Sequence, residues 1–322
     1  MGLILRYKIK AILFGVDESV INKLDLGNSY KIEKDCMINH NLWEEFDYTA
    51  FGLRRIYETA KLNDNLDVAV LSKNEEIKYE EAYVKDGEGW FVDDKKVDDI
   101  IFDHENDEME YIDRKMRIIR LYSENSFNIK ELLIITEVID SSTNKEIYHH
   151  NSKIPFPDKI IGNIDKLHLI NDEEAKSIND FVSKIDLDFK ESTFSSKLLS
   201  SAIFLYDQSY TSPVATLRFM VCVIGLESLL VDGNSELSYR LSRNCAMLLS
   251  SNSEEYLDLL TKMKKIYQKR SDYVHNGMVK SLEEDEVIET RGILRSVIFK
   301  IIEKNISKES LIKELDLKGF TN

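Results

Sequence analysis

Near residue 170 the spacing of apolar side chains changes from a β-type to a helical period, and this single change restricts the chain to an α+β architecture. Ahead of it, Tyr7–Val16, Tyr30–Ile38, Leu66–Leu71, Ile77–Val84, Met116–Tyr122 and Lys130–Ile139 carry alternating or β-branched runs and are predicted strands. The polar stretch Ser72–Glu76 reads as a turn, as does Glu124–Ser126, while Asn41–Lys61 reads as helical. Asp140–Lys145 turns the chain back into Glu146–His150, which predicts a hairpin. Together these runs predict an N-terminal antiparallel β-rich domain. Beyond residue 170 the pattern predicts helices opening at Asn171 or Asp172, then spanning Phe194–Tyr210, Val214–Val231, Ser235–Ser250, Ser253–His275 and Leu282–Asn305. Short links between them predict an all-α bundle, giving domains of residues 1–175 and 176–322.

Length and composition suit this division. A chain of 322 residues can bury two cores, and 43% apolar with 31% charged residues is the balance of a soluble globular protein. No apolar run approaches the ~18 residues of a membrane span, and the start lacks the cleavage pattern of a secretory signal. Met1-Gly2 is followed by Arg at position 6, against myristoylation. Cys36, Cys222 and Cys245 lack metal or redox spacing, so reduced thiols in a cytoplasmic protein are expected.

The net charge of −15 argues against a nucleic-acid partner until its distribution is considered. Residues 190–322 hold 18 Lys+Arg and 18 Asp+Glu, so residues 1–189 carry the whole excess. The halves are therefore expected to have different partners. Within the acidic half, Asp93–Asp113 is dense in carboxylates around His104; without calcium-loop or zinc spacing it reads as a solvated loop rather than a metal site. His149-His150 reads as a surface pair.

The residues best suited to chemistry lie in Arg270-Ser-Asp-Tyr-Val-His275, followed by Asn276-Gly277. Arg holds phosphate as a permanent cation, and His moves a proton near neutral pH. Tyr256, Leu260, Met263, Tyr267, Arg270 and Val274 share one helix face, which places Arg270 in an apolar stripe. On Val214–Val231 the matching stripe is Leu217, Met220, Ile224, Glu227 and Val231, so a buried Glu227 is expected to pair with an arginine. Arg240, Arg243 and Arg270 compete for it and the sequence does not decide among them; a pair of Glu227 with Arg240 or Arg243 would read as fixing helix register rather than as serving chemistry. His275, ahead of a C-cap signal, is expected to have its pKa raised by the helix dipole.

Three ordered pieces extend the pattern: Leu217–Leu230, Leu237–Leu249 and Tyr267–Gly277, the last carrying an Arg-x4-His signature at Arg270 and His275. Together they resemble the HEPN superfamily, specifically its ApeA-like group, across the C-terminal half. The residue after the arginine is Ser271, where many members have Asn, Asp or His. The resemblance implies a metal-independent endoribonuclease without cofactors, leaving a 2′,3′-cyclic phosphate. It also implies a homodimer that joins two copies of Arg270 and His275. His275 would serve as base or acid, Arg270 would bind the scissile phosphate, and Tyr273 or Asn276 would contact substrate. RNA, including tRNA, is the implied substrate and antiphage defence by a toxin-like effector the implied role, with the acidic domain sensing a phage-derived trigger or restraining the nuclease. Two rivals are a non-catalytic HEPN protein for dimerisation or RNA binding, and an acidic domain that captures a basic phage protein.

Overall fold

The computed structural model describes residues 2–14, 18–36, 67–79, 83–86, 89–123, 128–156, 170–191, 196–233, 235–276 and 282–318. Among them the chain forms two compact units that divide between Val182 and Ser183, a little beyond the predicted boundary.

The first unit is built on a five-stranded antiparallel sheet. Its strands are β1 (Leu3–Phe14), β2 (Lys31–Cys36), β3 (Asp67–Tyr79), β6 (Asn128–Asp140) and β7 (Glu146–Pro155), in the order β2-β3-β1-β6-β7. A separate ribbon pairs β4 (Tyr83–Asp86) with β5 (Gly89–Val92). In β1 the alternate residues Leu3, Leu5, Tyr7, Ile9 and Ala11 are buried, as the two-residue period of a strand requires. Helix α1 (Asp94–Ser123) lies over this face, where its His104 ring stacks on Tyr7 at 3.8 Å between centroids. The β6–β7 hairpin forms as predicted, and the Asp140 carboxylate accepts backbone N–H bonds from Ser142 and Thr143 to close its turn.

Three sequence expectations are corrected here. Ser72–Glu76 is not a turn: β3 runs straight through it, with Lys10 opposite Ser72 and Tyr7 opposite Glu75. Its polar residues find partners across the sheet, including Ser72 to Glu33 at 2.8 Å and Arg6 to Glu76 at 3.0 Å. The acidic stretch Asp93–Asp113 is not a loop but most of α1, and Met116–Tyr122 is the last part of that helix rather than a strand. Val97, Ile101, Ile112, Met116 and Ile119 recur at helical steps and are buried. The expected helix Asn41–Lys61 and the turn Glu124–Ser126 lie outside the described residues.

Helix α2 (Asp172–Glu191) begins at Asn171, whose side chain accepts the Glu174 N–H at 2.8 Å. Asn179 in turn bonds the backbone of Lys23 and Asp25, tying the start of α2 to the loop after β1.

The second unit is helical: α3 (Ser196–Gln208), α4 (Ala215–Leu230), α5 (Leu237–Leu249), α6 (Ser253–Asn276), α7 (Glu284–Lys304) and α8 (Lys308–Lys318). All but α8 match predicted segments. Phe219, Cys222, Val223, Leu226, Leu229 and Leu230 of α4 are buried against neighbours that include α7, where Leu294, Val297 and Ile298 are fully enclosed. The helices meet at Gly225, since a Cβ there would lie 2.9 Å from the Leu294 side chain. Arg218, 6% exposed, forms a two-pronged pair with Glu284 at the start of α7, at 2.6 and 2.5 Å.

Candidate functional site

Helix α6 is well started. The Asn252 side chain accepts the Glu255 N–H at 2.9 Å, and the Glu255 carboxylate reaches back to the Ser251 N–H at 2.8 Å. Met263 and Ile266 anchor it to the core, and α5 is a major neighbour. This packing turns Arg270 toward α4.

There Arg270 meets Glu227. Its Nη2 donates to Glu227 Oε2 at 3.3 Å, and its Nε lies 3.2 Å from Glu227 Oε1 without the alignment of a hydrogen bond. The two side chains are 21% and 19% exposed, so the pair is screened from water but open at one side. The guanidinium also stands 5.7 Å from the Tyr267 ring centroid. Arg270 thus wins the competition for Glu227.

The choice among the three arginines, left open by the sequence, is settled by where the other two are held. Arg240 donates to the Asp232 carbonyl, beside the Gly233 turn with its φ of +78°. Arg243 is taken by the end of α8, donating to Leu315 O at 2.9 Å and to Asp316 Oδ1 at 3.0 Å. Both line a separate surface cleft of about 490 Å³ with Glu236 and Tyr239.

His275 lies in the last turn of α6, exposed and with no hydrogen bond or ion pair among the described residues. Tyr273 is half-buried, and Asn276 ends the helix. Five residues of helix place Arg270 and His275 about 140° apart around the axis, so one chain does not present both to a single point. The geometry can hold a phosphate at Arg270 and exchange a proton at His275, but on different flanks.

The α4 stripe expected to face inward is largely corrected. Leu217 is 46% exposed and Ile224 42%; with Val214, 49% exposed, they form an apolar outer face. Only Val231 of that stripe is buried, and Glu227 follows Ile224 on the same face by one helical step. On α6, Val274 lies one turn beyond Arg270 and is half exposed. The Glu227–Arg270 pair therefore sits where two partly exposed stripes meet. Sequence reasoning missed this because α4 is apolar nearly all round, so its pattern does not point to one side. No family model, curated protein or solved structure matches the chain.

Proposed function

We propose that the chain is a metal-independent endoribonuclease of the HEPN type, acting as a homodimer and serving as a toxin-like effector in antiphage defence. The observation that carries this reading is the state of Arg270. It is held by one carboxylate through one aligned hydrogen bond, which leaves most of its five N–H donors for a phosphate. His275, exposed at the same helix end, supplies a proton-transfer group. The three-part resemblance around these residues supports assigning them this chemistry.

In the reaction, the ribose 2′-OH attacks the neighbouring phosphorus and the 5′-oxygen leaves. His275 of one chain removes the 2′-OH proton and His275 of the other protonates the leaving oxygen. Arg270 stabilises charge on the non-bridging phosphate oxygens. Glu227 orients the guanidinium from behind. One chain offers too few groups at one point, and a two-fold axis supplies the rest. The apolar face of Val214, Leu217 and Ile224 leading to Arg270 supports a dimer there.

Expression of wild type should deplete intact cellular RNA and leave 2′,3′-cyclic phosphate ends, while His275→Ala should leave RNA intact and remain dimeric. Intact RNA with wild type, with and without phage infection, would favour a non-catalytic dimerisation or RNA-binding protein. That second reading has one observation in its favour: Glu227 already neutralises Arg270.

A further inference from the structure

Between α1 and the sheet of the first unit, the apolar core gives way to a polar centre. Tyr7 of β1 stands opposite Glu75 of β3 on one side and Thr136 of β6 on the other, and Thr136 stands opposite His150 of β7. From above, α1 contributes His104, Glu105 and Glu108, on turns where Val97, Ile101 and Ile112 would otherwise continue an apolar stripe. Lys73 lies beneath them, 3% exposed, with its Nζ 2.6 Å from Glu108 and 2.7 Å from Glu75. Tyr30 donates to the other oxygen of Glu108.

Charge and hydrogen bonding are both incomplete here. Glu75, Glu105 and Glu108 bring three carboxylates; Lys73 pairs with Glu75 and Glu108, and Glu105 Oε1 has the His150 imidazole 3.5 Å away rather than a fixed cation among the described residues. Buried charge of one sign is costly unless balanced. Several polar atoms also lack a hydrogen bond: Tyr7 Oη, Thr136 Oγ1, His104 Nε2 and Glu105 Oε1. Tyr7 is 2% exposed, its ring is flat against His104, and its hydroxyl feels the charge of Glu105 and Glu75. A buried donor-acceptor aimed among carboxylates and an unpartnered imidazole nitrogen is a poor end to a folded core. It suits a site that receives a cation.

The ligand geometry agrees. One atom each from Glu75, His104 and Glu108 lie within 4.8 Å of one another, and His104 Nε2 is 3.8 Å from Glu75 Oε2. Metal–ligand distances of about 2.0–2.2 Å imply ligand separations near 3.4 Å in a tetrahedral zinc site, so modest side-chain rotation closes the set. We propose that Glu75, His104 and Glu108 bind a divalent transition-metal ion of the zinc class inside the first unit. Lys73 competes with that ion for the two carboxylates, and a doubly charged ion balances the excess that one ammonium leaves. One imidazole and two carboxylates favour zinc or manganese over the all-oxygen shells of calcium or magnesium. The ion would brace α1 on the sheet, and the proposal is independent of the nuclease reading.

The test is zinc titration of the chelator-stripped full chain by calorimetry, with the melting midpoint followed in parallel. Wild type should bind about one ion per chain and melt several degrees higher at saturation. His104→Ala and Glu75→Gln, both at partly accessible positions, should bind about tenfold more weakly or worse and lose the zinc-dependent shift. His149→Ala, at an exposed position of β7, should bind like wild type. Absence of binding to wild type, or binding that survives His104→Ala unchanged, would overturn the site.

Discussion

At the scale of the residue, Arg270 and His275 are placed for different consequences. Removing Arg270 strands the Glu227 carboxylate, about four-fifths buried, next to α6. Arg270→Ala should therefore cost about 1–2 kcal/mol, after discounting a fully buried pair for solvent contact. His275 touches no partner, so His275→Ala should stay within about 0.5 kcal/mol of wild type. Urea unfolding of both variants checks this contrast, and equal losses would mean that the Glu227 pair contributes nothing. The sequence made Glu227 a buried acid in need of an arginine and placed Arg270 on a partly apolar face. It could not rank three arginines, because what removed Arg243 from the contest was α8, a helix its pattern did not announce. The orphaned His104 and Tyr7 were harder to read: their meeting depends on sheet register, which local pattern does not encode.

At the scale of the element, what was legible depended on whether an element has two unlike faces. The C-terminal helices were found almost to their ends, since caps and turn residues punctuate them. Which side of α4 faces inward was not found, for want of a polar flank. Residues Met116–Tyr122 mislead in the opposite way: a dense apolar run suits a strand as well as the end of a long helix. Close packing of α4 on α7 gives a direct prediction. Gly225→Ala gains about 1 kcal/mol of helix propensity but forces its Cβ against the enclosed Leu294, at a cost of about 1–3 kcal/mol, so it should be neutral to destabilising. Gly292→Ala on α7 meets nothing within 4 Å and should stabilise by about 0.5–1 kcal/mol in thermal melts.

The start of α7 adds a pH dependence. The hydrogen bonds from Arg218 hold the Glu284 carboxyl below its ordinary value of 4.5. A carboxyl with a depressed folded pKa stabilises fully above its unfolded pKa, and that stability fades as pH falls through the folded value. Glu284→Gln should therefore be less stable than wild type at neutral pH, by no more than about 1 kcal/mol because Glu284 is half exposed, and the gap should close below the carboxylate range. Denaturant midpoints across the acid limb would show this convergence; a constant gap would place the effect elsewhere.

At the scale of the whole molecule, the division of charge and the proposed dimer belong together. Residues 1–189 carry the entire −15 and would repel a polyanion, so the proposed RNA cleft is assigned to the neutral second unit. That unit exposes Val214, Leu217 and Ile224 on one side of α4, and Glu227 continues the stripe to Arg270. If this face pairs with its own copy, charge placed in it should disperse the dimer without unfolding the chain. Leu217→Asp with Ile224→Asp replaces two side chains that are each more than two-fifths exposed, so the fold should survive. Light scattering should report a monomer, and RNA cleavage should disappear although Arg270 and His275 remain. A sharper result comes from mixing two inactive chains. Arg270→Ala keeps its histidine and His275→Ala keeps its arginine; random exchange makes about half of the dimers mixed. A mixed dimer brings one arginine and one histidine to the shared cleft from different chains but lacks the second histidine, so it should recover only a small part of the activity through the one proton transfer that survives. Recovery on mixing would be hard to explain by any site confined to one chain. Its absence, with heterodimers demonstrated, would show that the reaction needs both arginines or both histidines, or that the cleft is not shared. A dimer that persists in the Asp variant would remove α4 from the interface.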